Sequence, residues 1–295
     1  MGSRRAALAQ VRRIEIYTRR LVEQLVGGDY KSVFRGRGVE FSDFREYMEG
    51  DDPRTIDWNV TARTGYPHVK IMTEERELSA LLMVDTSASL GFGSVVMTKA
   101  ERVAEISAVL ALSAVRSGDR IGLLTFGSEV TGYIPPGKGR RHALGIVGRI
   151  LEAEGTGRAA HLDRALSYTG RMLHRRSLLF LISDFRFAPK TSTLLRATAA
   201  RHDVVGINVY DPREVHFPPL GRMRLADPET GRESVVNTSS RRWRREFARR
   251  VAERRERMKE LCSSSGVDLV SVSTAEDLVV PLRRFFALRR RRRRH

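Results

Sequence analysis

From residue 78 onward the apolar residues follow two alternating rhythms. LSALLMVD (78–85), RIGLLTF (120–126), SLLFLISD (177–184), DVVGINVY (203–210) and VDLVSVS (267–273) are continuous apolar runs of strand length. Between them apolar residues recur every three or four positions. Lys99 to Arg116 places Val103, Ile106, Leu110 and Ala114 on one face, and the same period predicts helices at about 140–153, 161–174, 191–201 and 241–259. TGYIPP (131–136) reads as a short edge strand stopped by two prolines. Thr274 followed three residues later by Asp277 predicts the start of a last helix that ends near Arg289. Strands without polar alternation, separated by helices, are buried on both faces. The pattern predicts an α/β fold, a doubly wound, mostly parallel sheet with helices on either side.

Two regions leave this rhythm. Residues 1–76 open with an amphipathic helix to about Val26 and then turn polar, with glycines and aromatics at no fixed period. Residues 211–240 are rich in turn signals, and DPETG between short runs predicts a hairpin insertion. The expected organisation is therefore an extension over 1–76, a core over 77–280 with that insertion, and the end of a last helix with an arginine-rich tail over 281–295.

Charge adds a local feature. The chain has 53 Lys and Arg against 35 Asp and Glu, a net +18. Six of these charges are the run Arg289 to Arg294, and the segment 241–259 holds ten basic and three acidic residues. Such runs attract phosphate backbones or anionic lipid, and Arg241, Arg242, Arg244 and Arg245 are the residues that would do so. Trp243, Phe247, Val251 and Met258 in the same segment, and Leu261 just beyond it, recur at helical spacing, so the run also reads as an amphipathic helix with a solvated basic face. For the tail the plain expectation is a frayed end. A single cysteine, Cys262, excludes an internal disulfide framework, and no apolar run approaches the roughly 20 residues of a membrane span, so a cytoplasmic setting is expected.

In open parallel sheets, ligands bind beyond the carboxyl ends of the strands. The run at 78–85 ends in Asp85-Thr86-Ser87-Ala88-Ser89, and the run at 177–184 ends in Ser183-Asp184. Carboxylates and hydroxyls without nitrogen or sulfur suit a hard cation, Mg²⁺ or Mn²⁺. The plain alternative is an Asp-Ser turn that caps the next helix. The D-x-S-x-S string resembles the metal-ion-dependent adhesion site of von Willebrand factor type A domains. The stretch 36–77 (GRGVEFSDFREYMEGDDPRTIDWNVTARTGYPHVKIMTEERE) resembles the bacterial family of domain of unknown function 58, which joins such a block to a type A core. The resemblance implies metal ligands at Asp85, Ser87 and Ser89 in the first loop and Asp184 in the third, with a partner's acidic residue completing the octahedron. In the second loop it places Ala160 where the family has threonine, so either Thr156 or water takes that place or metal affinity is reduced. It also implies a partner, a MoxR-type AAA+ ATPase in assembly or chaperone work. The charges of 36–77, among them Asp43, Arg45, Asp51, Asp57 and Arg63, read as an ion-paired collar, with Trp58 and Phe41 as apolar anchors, in preference to a catalytic centre.

Enzyme templates fail. There is no G-x-S-x-G elbow, no P-loop and no H-E-x-x-H, and the seven histidines show no ligand spacing. A Mg²⁺-dependent aspartyl phosphotransferase usually presents D-x-D after the strand, whereas the second acid is here Ser87. The expected role is a non-enzymatic, metal-dependent protein-interaction module. A nucleic-acid or anionic-surface binder is the second reading and the phosphotransferase the third.

Overall fold

A computed structural model describes residues 18, 21–22, 40–73, 78–153, 159–187 and 191–294. These fall into two compact units, one within residues 34–78 and the other from Ser79 onward together with Thr18, Leu21 and Val22.

In the smaller unit, β1 (Glu40–Glu46) and β2 (His68–Thr73) pair antiparallel, and α1 (Trp58–Thr64) lies between them in sequence. Its charged residues make local structure. Asp57 caps α1 by accepting the Asn59 and Val60 amides and pairs with Lys70 at 2.9 Å. Asp52 caps the turn Pro53–Thr55, and Arg45 forms two parallel bonds to Asp51. Aspartates at turn and helix starts satisfy amides that lack an intrahelical partner, which is why this block is so dense in acid. Trp58 does not act as an apolar anchor within this unit, being 70% exposed, while the side chain of Phe41 lies outside the described residues.

The larger unit is built on a six-stranded sheet. Its strands are β3 (Ser79–Asp85), β4 (Arg120–Phe126), β5 (Val130–Gly137), β6 (Leu178–Ser183), β7 (Asp203–Tyr210) and β10 (Asp268–Ser273), in the order β10-β7-β6-β3-β4-β5. All neighbours are parallel except the edge pair β4–β5. The helices are α2 (Lys99–Arg116), α3 (Arg140–Leu151), α4 (Leu162–Met172), α5 (Thr191–Arg201), α6 (Arg241–Ser264) and α7 (Val279–Arg294). Strand alternation divides the core. Leu81, Met83, Leu124, Phe126, Leu179 and Leu181 pack with Leu162 and Leu166 of α4, Leu195 of α5 and Met258 and Cys262 of α6. The intervening residues face the other layer, where α2 lies against β3, β4 and β7 and meets α3 through Ala108 and Val147. Each fully buried Leu, Ile or Phe contributes about 1.5–3 kcal/mol, and both sheet faces are covered in this way. The expected doubly wound α/β fold is the one observed.

Two features of the last helix depart from expectation. It begins at Val279, not Thr274. Thr274 is buried and donates to Asp211, whereas Asp277 accepts the Val279 amide and supplies the cap. The run Arg289 to Arg294 is also helical and not a frayed end. Arg289 is 6% exposed and holds Asp203 and Asp268, so it ties the helix to the starts of β7 and β10. The insertion at 211–240 contains the expected hairpin, β8 (Arg222–Ala226) with β9 (Glu233–Asn237).

Candidate metal and partner site

Strand order reverses between β3 and β6, so the crevice lies at their carboxyl ends, where Asp85 and Ser183-Asp184 emerge side by side. Asp85 is 2% exposed. Its Oδ2 accepts the Ser183 hydroxyl at 2.6 Å and its Oδ1 the Ser87 amide at 2.8 Å. Burial, reinforced by the charge of Asp184, pushes its carboxyl up to about 6 against the pull of those bonds. The loop turns immediately. Thr86 is pinned to the Phe126 carbonyl, and the short turn Ala88–Gly91 brings the Ser87 and Ser89 hydroxyls to 3.1 Å from each other.

The Asp184 side depends on a residue that strand-end reasoning missed. α2 opens with a reciprocal Thr98–Glu101 capping box, which sets Lys99 at its first position. Lys99 is fully buried, and its ammonium donates to Asp184 Oδ2 at 2.8 Å and to Glu214 Oε1 at 2.9 Å. Arg186 bridges the same two carboxylates at 3.1 and 2.6 Å. Burial would raise the carboxyl of Asp184, but Lys99 and Arg186 outweigh it and hold it below the usual range. Glu214 is placed by a capping box of its own with Asp211, and Asp211 in turn binds Ser94 and so fastens the loop that leads into α2. The chain turns sharply after Asp184, because Phe185 adopts φ 56°, a costly conformation for a bulky residue. Its amide bonds the Ser183 hydroxyl, and Gly206 of β7 leaves room for its ring, since a Cβ there would stand 2.8 Å from Phe185 Cζ.

A signal for Lys99 was present in the sequence, because it lies four residues before Val103 on the apolar stripe of α2. Glu214 and Arg186 carried no comparable mark. In the second loop, Ala160 packs against the apolar core beside His161, whose amide bonds the Gly127 carbonyl. Ala160 offers no side-chain oxygen, and Thr156 lies outside the described residues.

These groups can be tested against a hard cation. An octahedron with metal–oxygen distances of about 2.1 Å has edges of about 3.0 Å, and the Ser87–Ser89 hydroxyl separation of 3.1 Å matches that edge. Among the described residues no three His, Cys, Asp or Glu side chains form a metal cage, so a cation here would rely on serine hydroxyls and waters. The donor set fits Mg²⁺ or Mn²⁺, with Asp85, Ser87 and Ser89 at its centre. Asp184 is shared with Lys99.

Of the basic residues on α6, Arg241, Arg242 and Arg245 are exposed, whereas Arg244 is half-buried and donates to the Thr238 carbonyl at 2.7 Å. Trp243 and Phe247 stack on each other and both meet Phe217 edge-on. Arg249 and Arg250 are paired with Glu246. No described helix is long and apolar enough to cross a membrane.

Fold and strand-end loops together define an α/β protein with a type A-like core. The family described as "Protein of unknown function DUF58" matches residues 43–257. An uncharacterized protein of Mycobacterium tuberculosis is 34% identical over 287 residues, covering 96% of this chain and 90% of the relative, and one of Mycobacterium bovis matches to the same extent. The chain belongs to the DUF58 family. Among solved structures it resembles an aerotolerance-related membrane protein from Bacteroides fragilis (12% identity, 73% of this chain and 99% of that one, TM-score 0.46). It also resembles the VWA domain of SpRpn10 (13% identity, 69% and 92%, TM-score 0.41). These likenesses are too distant to bear on function.

Proposed function

We propose that the protein is a non-catalytic interaction module whose strand-end site holds Mg²⁺ or Mn²⁺ through Asp85, Ser87, Ser89 and Asp184 and receives a partner's carboxylate. The observation that carries this reading is the convergence of a buried carboxylate and two hydroxyls, spaced as ligands on one octahedral edge, at the switch point of the sheet. Ser87 stands where an aspartyl phosphotransferase has its second acid, so the loop suits cation binding better than phosphoryl transfer. The partner that fits the family is a MoxR-type AAA+ ATPase. In support, a Paracoccus denitrificans relative named "Uncharacterized protein in moxR 3'region" is 30% identical over 98 residues, which cover 92% of it.

Calorimetric titration of Mn²⁺ and Mg²⁺ into metal-stripped protein, beside Asp85→Ala, tests the site. The expected result is binding near one equivalent that vanishes in the variant, and no heat in the wild type would sink the metal reading. Retention of a MoxR-type ATPase on the immobilised wild type but not on Asp85→Ala would support the partner. A second reading, binding of nucleic acid or anionic lipid, draws on the exposed Arg241, Arg242 and Arg245. It requires affinity that falls steeply with salt and is indifferent to Asp85.

A further inference from the structure

The helix α7 has two unlike faces. Val279, Leu282 and Phe286 are buried on the side that meets β10, and Arg289 continues that side by holding Asp203 and Asp268. On the opposite side Val280 (63% exposed), Arg284, Leu288 (53%) and Arg291 form one exposed stripe, since steps of four, four and three residues keep to a single helix face. At 1.5 Å per residue the stripe is about 16 Å long, and the exposed Arg283 and Arg292 flank it. No acidic residue occurs from Val279 to Arg294, and the nearest acids, Glu276 and Asp277, precede the helix. Among the described residues Arg283, Arg284 and Arg291 have no ion-pair partner, and Arg292 reaches Asp268 only at 3.4 Å. The exposed arginines of α6 lack this apolar company, because Trp243 and Phe247 are half-buried against Phe217.

We propose that the outer face of α7 is a docking surface for an anionic phospholipid bilayer. The helix lies in the plane of the membrane, with Val280 and Leu288 at the boundary of headgroups and acyl chains and Arg283, Arg284, Arg291 and Arg292 on lipid phosphates. Arginine stems run along apolar surface while their guanidinium groups reach outward, so a stripe that alternates apolar residues with arginines suits an interface of that layered kind. A nucleic acid would reward the arginines alone and leave Val280 and Leu288 unused. The buried side of α7 and its tie through Arg289 hold the stripe rigid, so little ordering opposes docking. The arginine-dense end lies at the amino ends of β7 and β10, whereas Asp85 and Asp184 stand at the carboxyl ends of strands parallel to them. Membrane contact at that end leaves the strand-end site open to a protein partner, and neither site depends on the other.

The test is co-sedimentation of the full chain with extruded vesicles of three parts phosphatidylcholine to one part phosphatidylglycerol. EDTA is present throughout, so that no divalent cation bridges protein and lipid and Mg²⁺ uptake has no bearing on the result. Wild type should sediment with these vesicles and not with phosphatidylcholine alone. Each arginine near an anionic surface contributes about fivefold in affinity, so Arg284→Gln/Arg291→Gln should bind roughly 25-fold more weakly. Leu288→Ser keeps every charge and should still bind at least about threefold more weakly, because it loses apolar burial. These positions are exposed, so the changes leave the packing of α7 untouched. Arg241→Gln/Arg242→Gln on α6 should bind within about twofold of wild type, since those side chains lie on another surface. No sedimentation with the anionic vesicles, wild-type affinity in the α7 variants, or a loss confined to the α6 pair would each overturn the proposal. So would vesicle binding indifferent to Leu288 beside binding of a duplex oligonucleotide that fails with Arg284 and Arg291, which would assign the stripe to nucleic acid.

Discussion

Lys99→Met tests how the site is held together. The substitution keeps the aliphatic stem and removes the buried ammonium, leaving Asp184 and Glu214 to share Arg186. Removing one partner of a buried ion pair costs about 3–5 kcal/mol, because the remaining charge stays desolvated. Arg186 still bridges both carboxylates, and its side chain is 30% exposed, so the lower end applies, about 3 kcal/mol. Urea unfolding of the full chain, followed by circular dichroism, measures it. With a slope of about 3 kcal/mol per molar for a unit of this size, the midpoint should fall by about 1 M. Mg²⁺ should restore more stability to the variant than to wild type, since a cation then takes over part of the role of the ammonium. A midpoint within about 0.2 M of wild type would refute the reasoning, because it would mean that the carboxylates do not depend on Lys99.

Three further outcomes are expected. Arg289→Ala should destabilise the larger unit by about 2 kcal/mol, below the full cost of a broken buried pair because Asp268 is one-third exposed; a change under about 0.5 kcal/mol in urea unfolding would contradict the tie. Burial pushes the thiol of Cys262 up to about 12, so iodoacetamide at pH 8 should leave the native protein unmodified and label it once denatured. The hydrogen bonds from Arg45, and then from the Met48 amide, lower the carboxyl of Asp51 to about 2. Its contribution is therefore present above the unfolded value of about 3.9 and lost as pH falls through about 2. Carbon-detected NMR titration should show Asp51 moving back toward the unfolded value in Arg45→Ala.

The site was half legible in the chain. A carboxylate and hydroxyls at strand ends are local in sequence, and Asp85, Ser87 and Ser89 lie within five residues on a single turn. Lys99, Arg186 and Glu214 meet around Asp184 from three separate segments, and no spacing between them encodes that meeting. The tail was misread for the same reason. Six consecutive arginines look like a solvated end until Asp203 and Asp268, at the starts of two parallel strands, are brought within reach of Arg289.

What the chain by itself determined was the alternation of buried strands and amphipathic helices, and with it the two-layered burial of a parallel sheet, because side-chain periodicity is a local property read against one backbone geometry at a time. Strand order and the pairing of buried charges were decided only by tertiary structure. Those features depend on which segments the packed sheet places side by side, and a buried charge is tolerated only where that packing supplies its partner.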